Sequence, residues 1–168
     1  FQDLKKEWEA FSGEVITFHA DLSKVDQIRD VAARVKEAYG VPDVLINNAG
    51  IVTGKYFYEH SHENISLSMA VNADAMMHLT LEFLPGMIER NSGSIGNLCS
   101  LAGLIGNTKM AVYVASKWAA VGWSESLRLE MQQLGKDIKV TTIMPYYINT
   151  GMFDGVRSGL IPILKPEP

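Results

Sequence analysis

Cysteine is nearly missing from this chain. Cys99 is the one cysteine in 168 residues, so no intrachain disulfide can form and packing alone must hold the fold. Long apolar runs are missing as well. No stretch approaches the roughly 20 residues that a bilayer-spanning helix needs. Basic clusters are absent: the net charge is −4 and the pI is near 5.5, which argues against nucleic acid as a partner. His19, His60, His62 and His78 form no grouping with cysteine or acids, so no metal is assigned. Finally, no glycine-rich turn occurs before Asn47. Such turns let backbone N–H groups approach a pyrophosphate at a helix start. Gly93-Ser-Ile-Gly96 and Gly103-x-x-Gly106 come too late in the chain to substitute.

What is present is an apolar content of 47%, enough for one domain with a substantial core. Asp3 to Phe11 reads as the end of an amphipathic helix stopped by Gly13. Val15 to Phe18 reads as a strand ending at Asp21-Leu22. Ser23 suits the N-cap of a helix to about Tyr39, with Val25, Ile28, Val31, Ala32 and Val35 as its buried stripe. Val44 to Asn47 is a second strand. A long helix follows from about Asn64 to Glu89, with an interruption expected at Pro85-Gly86. Ser94 to Leu98 is a strand, Ala111 to about Gly135 a helix, and Val140 to Met144 a last strand. Strands alternate with helices, and two strands are nearly continuous apolar runs, as when helices cover both faces. The expected fold is α/β, a doubly wound parallel sheet of Rossmann type. In that fold ligands bind beyond the carboxyl ends of the strands. Asp21, the Asn47–Gly50 stretch, Ser100 and the stretch from Pro145 to Thr150 all sit at such ends.

Tyr113 and Lys117 are four positions apart in Val112-Tyr-Val-Ala-Ser-Lys117, so one helical turn puts them on one face. A tyrosine hydroxyl seldom ionises near neutrality, but a neighbouring cation favours its ionised form. Ser100, thirteen positions earlier (113 − 100), can hold a substrate oxygen beside the phenol. Together they make a proton donor and acceptor for interconverting an alcohol and a carbonyl. Asn47-Asn48-Ala49-Gly50, Met69-Ala-Val-Asn72-Ala-Asp, Ser100-Leu101-Ala102-Gly103 and Pro145-Tyr-Tyr-Ile148-Asn-Thr150 accompany the pair.

In order and spacing these stretches resemble the short-chain dehydrogenase/reductase family over nearly the whole chain. The resemblance implies a catalytic set of Asn72, Ser100, Tyr113 and Lys117. It further implies cofactor contacts at Asp21, Leu22, Asn48, Ala49, Gly50, Tyr113, Lys117, Ile148 and Thr150, with NAD or NADP as the cofactor. Asp21 would meet the adenine, and Asn48 to Gly50 would run along the adenosine ribose. Lys117 would bond the nicotinamide ribose, and Ile148 and Thr150 would meet the nicotinamide and phosphates. Local readings compete: Asp21 as a cap or turn residue, Ser100 as a turn cap, Asn72 as a partner for nearby backbone. Tyr146 departs from the family pattern, which has glycine after the proline.

Against that family pattern the domain reads as incomplete. One βαβ unit, roughly 30–40 residues, is expected ahead of Phe1, and a further helix and strand beyond Pro168. The stretch Pro145–Gly155 looks most like the branch of retinol and 17-beta-hydroxysteroid dehydrogenases. Ile148, Met152, Phe153, Val156, Leu160, Ile161, Ile163 and Leu164 would then form an apolar lid. The implied substrate is an apolar alcohol or carbonyl compound: a retinoid, a steroid or a long-chain alcohol. A nucleotide-sugar epimerase or dehydratase, and a non-catalytic nucleotide-binding regulator, are the competing readings. The expected partners are a small-molecule substrate and a second copy, as homodimer or homotetramer. Met69, Met76, Met77, Met87, Trp118 and Trp123 are the apolar area offered for that interface. The expected location is cytoplasmic, or the cytoplasmic side of a membrane held through segments outside these residues.

Overall fold

A computed structural model describes residues 14–146. The expected helix over Asp3–Phe11 therefore lies outside the described residues. Four α-helices and three strands follow in alternation. Helix α1 is Val25–Tyr39 and strand β1 is Val44–Asn47. Helix α2, His62–Met69, runs through a π-turn at Ala70–Asp74 into helix α3, Ala75–Arg90. Strand β2 is Gly93–Leu98, helix α4 is Ala111–Gln133 and strand β3 is Ile138–Ile143. The strands form one parallel sheet in the order β1-β2-β3, a Rossmann-type α/β arrangement.

The register stacks residues in rows. Leu45, Ile95 and Val140 are partners across the three strands, and so are Asn47, Asn97 and Thr142. The first row lies in the core with Phe83 and Met87 of α3 and Leu127 and Met131 of α4. Ala32 of α1 joins the same cluster. Helices α3 and α4 thus cover one face of the sheet, and α1 packs beside α3. The Lys36 ammonium of α1 fastens that contact, 2.9 Å from Glu82 of α3. The opposite face exposes Val44 and Ile46, so among the described residues the continuous apolar run of β1 is covered on one side only.

Three local expectations need correction. Val15–Phe18 forms no strand, because no described strand lies beside it to complete a ladder. Ser23 does not cap α1. Lys24 holds the N-cap position without a side-chain bond, and the Ser23 hydroxyl donates instead to Asp21 Oδ1 at 2.7 Å. The long helix does not break at Pro85, which sits inside α3. At the adjacent Gly86 any Cβ would overlap Val41, so the absence of a side chain lets the helix run close past the β1 approach. The irregularity falls earlier, at the π-turn that carries Asn72.

Helix termini follow capping chemistry where it exists. Ser61 Oγ accepts from Asn64 N at 3.2 Å, which starts α2 at His62, two residues ahead of the sequence reading. Asn91 ends α3 in the left-handed region at φ 54.

Candidate active site

Helix α4 has a buried stripe of Val112, Tyr113, Ser116, Lys117, Ala120, Ser124, Leu127 and Met131. The spacing is that of one helix face. It is unusual in being polar over its first half. Tyr113 and Lys117 are both buried there, as the four-residue spacing predicts, and the Lys117 Nζ stands 5.8 Å from the Tyr113 ring centroid. The ammonium donates to the Leu98 carbonyl oxygen at 2.9 Å. No carboxylate of the described residues pairs with it. Burial pushes the Lys117 pKa below the usual lysine value, partly offset by Cys99. Burial likewise raises the Cys99 thiol, with Lys117 acting the other way. Cys99 therefore packs as a small apolar residue, in a cluster with Met76 and Ala120.

The end of β2 supplies Ser100. Its Oγ accepts from Ala102 N at 3.1 Å, so it caps the short 3-10 turn Leu101–Gly103. The hydroxyl proton stays available, so capping and substrate contact do not compete. Leu101 N donates to Pro145 O at 3.1 Å, which joins the segment after β3 to the Ser100 turn.

Asn72 is fully buried in the π-turn. Its Oδ1 accepts from Ile51 N at 2.8 Å, and its Nδ2 donates to Ile51 O at 2.9 Å and to Ser116 Oγ at 3.0 Å. The local reading of Asn72 as a backbone partner is thus also correct. Gly50 lies between this amide and the lysine. A Cβ at Gly50 would be 3.5 Å from Asn72 Oδ1 and 3.6 Å from Lys117 Nζ. The turn after β1 and the catalytic candidates therefore form one cluster, which also places Ala49 and Asn48 at the carboxyl edge of the sheet.

Asp21 and Leu22 sit in the turn before α1. The Asp21 carboxylate accepts from the Ser23 hydroxyl and amide, bonds that hold its pKa below the usual carboxylate value. It takes no part in the bonds joining the other residues. Ile148 and Thr150 lie outside the described residues. The sequence reading missed Ser116 and the buried polar chain Asn47, Asn97 and Ser124. In that chain Asn47 Nδ2 donates to Asn97 Oδ1 at 2.8 Å, and Asn97 Nδ2 to Ser124 Oγ at 2.8 Å. The available signal was a pair of serines on an otherwise apolar helix face.

A parallel sheet with a Tyr–Lys pair, a serine and a buried asparagine near its carboxyl edge defines a Rossmann-type α/β domain. The chain belongs to the short chain dehydrogenase family, whose model matches residues 1–160. It is similar to retinol dehydrogenase 10-A of Danio rerio, 39% identical over 163 residues, covering 94% of this chain and 48% of that protein. Two solved structures share the fold. One is a short-chain dehydrogenase/reductase from Burkholderia phymatum in complex with NAD (TM-score 0.82, 29% identity, covering 96% of this chain and 59% of that one). The other is a metagenomic short-chain oxidoreductase in complex with NADP (TM-score 0.79, 34% identity, covering 86% and 65%). The chain spans about half the length of the curated relatives it matches.

Proposed function

We propose that the protein is an NAD- or NADP-dependent dehydrogenase acting on an apolar alcohol or carbonyl compound, with retinoids, steroids and long-chain alcohols as the substrate class. The observation that carries the reading is the buried Lys117. An ammonium without a carboxylate partner is costly to keep buried. Among the described residues it bonds Leu98 O, and an ammonium has two further N–H donors, which suits the two hydroxyls of a ribose. Gly50 fits the same group, because a residue without a side chain leaves room for a ligand beside Lys117 and Asn72. Lys117, Gly50, Ala49 and Asn48 would hold the nicotinamide-ribose end, and Asp21 with Leu22 the adenine end. Ile148 and Thr150 are assigned by sequence to the nicotinamide and phosphates. The bound cofactor supplies or accepts the hydride.

The chain's own residues handle the proton. Ser100 donates its free hydroxyl hydrogen to the substrate oxygen and fixes it beside Tyr113. The Tyr113 phenolate takes the alcohol proton in oxidation, and the phenol returns it in reduction. The Lys117 ammonium favours negative charge on the phenolic oxygen. Asn72 keeps the turn after β1 against Lys117. The apolar residues of the sequence beyond Pro145, Met152 and Phe153 among them, favour an apolar substrate and offer few partners for a sugar.

Assembly as a homodimer or homotetramer belongs to the same proposal. Its support is the exposed apolar surface of α2, α3 and α4, at Leu67, Leu81, Trp118 and Leu129. Met76 and Met87 are in the core and Trp123 packs against it, so these three do not contribute to that surface as expected from the sequence. No helix among the described residues is long and apolar enough to cross a membrane. A cytoplasmic location, or one at the cytoplasmic side of a membrane, belongs to the same proposal.

The test is a panel of retinol, a steroid, a fatty alcohol, a sugar and a hydroxy acid, assayed with NAD and NADP on the intact protein. The apolar alcohols are expected to have the highest kcat/KM. A sugar or hydroxy acid ahead by tenfold would reject the substrate class, and no nicotinamide-dependent turnover would reject the reaction.

A further inference from the structure

Ser116 occupies a fully buried position between Tyr113 and Lys117 on the inner face of α4. Its hydroxyl donates to the Tyr113 carbonyl oxygen at 2.7 Å. A carbonyl has no proton to give, so the Ser116 hydrogen must point that way and its oxygen is left to accept. Asn72 Nδ2 fills that role at 3.0 Å. The remaining Nδ2 hydrogen goes to Ile51 O, and Oδ1 takes the Ile51 amide. Both amide hydrogens of Asn72 are therefore used. Gly50, next to Ile51, brings the turn beside Lys117: a Cβ added there would lie 3.6 Å from its Nζ. The hydrogen-bonded path runs Tyr113, Ser116, Asn72, Ile51.

We propose that Ser116 is a positioning residue: it holds Asn72, and through Asn72 the turn Asn48–Ile51, in register with Lys117. The inference rests on Tyr113 and Lys117 being the reaction centre. A serine within a helix commonly back-bonds to a carbonyl one turn earlier, and that habit alone would make Ser116 a local feature of α4. The difference lies in the second bond. Removing the hydroxyl strands an Asn72 hydrogen at a site with no exposure to water, where an unmatched donor is costly. The amide then has reason to move, and Ile51 N is the group that registers the movement.

The experiment uses the intact protein with Ser116→Ala, Ser116→Thr, Asn72→Ala and the Ser116→Ala/Asn72→Ala double variant. Amide hydrogen exchange is measured residue by residue without cofactor. In Ser116→Ala the Ile51 amide is expected to exchange at least tenfold faster while the Ile95 amide, in the middle of the sheet, keeps its rate. Ser116→Thr, which retains the hydroxyl, restores slow exchange at Ile51. In turnover, Ser116→Ala raises the cofactor KM at least tenfold with a smaller effect on kcat. Adding it to Asn72→Ala changes KM by less than twofold, because the path through Asn72 is already cut. Unchanged exchange at Ile51, an equal rise at Ile95, a folded Ser116→Thr that exchanges like Ser116→Ala, or multiplying effects in the double variant would each overturn the proposal. Exchange needs no turnover, so an inactive wild-type protein would end the dehydrogenase reading while Ile51 still decides whether Ser116 governs the turn.

Discussion

A Cβ placed on Gly103 would lie 2.8 Å from the carbonyl oxygen of Lys117. The same atom would lie 2.6 Å from Val121 Cγ2, so the 3-10 turn after Ser100 rests directly on the backbone of α4. Seating that turn fixes Ser100 relative to Lys117. Gly103→Ala is expected to cost about 1–3 kcal/mol by overpacking, because a helix backbone cannot retreat as a flexible side chain can. Urea unfolding of the variant checks the magnitude. Gly122, also on α4, has nothing within 4 Å of its Cβ position, and Gly122→Ala should gain about 0.5–1 kcal/mol.

Tyr113→Phe removes the hydroxyl proposed as the acid–base group and keeps the ring. Turnover should fall by about 10²–10⁴-fold with cofactor affinity nearly unchanged. Lys117→Ala should damage both, since the proposal gives the ammonium two tasks, at the phenol and at the ribose. Steady-state kinetics with a cofactor titration separate the two cases. Wild-type-like turnover in Tyr113→Phe would take the tyrosine out of the mechanism.

Burial of Lys117 has a pH signature. Its folded-state pKa lies below the ordinary lysine value of about 10.4. Between the folded and unfolded values the unfolded chain holds more protons, so stability rises with pH there. The cost of burying the charge is therefore fully present below the folded pKa and fades as pH climbs toward about 10.4. Lys117→Met keeps the packing and drops the charge. Its stability relative to wild type should be greatest at neutral pH and shrink at pH 10, as read by urea unfolding at both. A constant difference would mean that the ammonium is not held at a cost.

Asn97 donates to Ser124 and accepts from Asn47 across the sheet, with no exposure to water. Asn97→Ala takes one bond from each neighbour, leaving Asn47 bonded to Thr80 and Ser124 to Thr142, and should destabilise by on the order of 3 kcal/mol, more than an exposed asparagine would. Ser124→Ala removes a smaller side chain, bonded to Asn97 and Thr142, and should cost less than Asn97→Ala. Thermal unfolding of the two variants tests that order.

The strands Val44–Asn47 and Gly93–Leu98 and the helix from Ala111 were legible in the sequence within one residue at their starts, because apolar runs and turn residues bound them. The placement of Tyr113 and Lys117 on one buried face of α4 was legible because four-residue spacing sets it, and that of Ser100 because it follows a strand. Val15–Phe18 was misread: β propensity describes a segment, whereas a strand needs a neighbour. Pro85 was misread as a break, since local propensity does not reveal where tertiary packing carries a helix through a proline. The π-turn at Ala70–Asp74 leaves no mark in hydrophobic periodicity. Ser116 and Asn97 were missed because a small polar residue looks alike on a wet surface and in a core. Only the partner across 44 positions, Asn72, gives Ser116 its meaning.

Strand β1 shows Val44 and Ile46, each more than half exposed, on the face of the sheet away from α3 and α4, and its outer edge carries no strand among the described residues. An unpaired edge beside an oily face is a growth point: another chain can dock its own strand there and leave a fresh edge behind. A protein that exposes this edge and face should cloud with concentration and time, and shed that habit when lysine replaces Ile46. Turbidity at a fixed temperature would follow it, and the remedy would leave the Tyr113 cluster untouched, because Ile46 points to the other side of the sheet from Asn47.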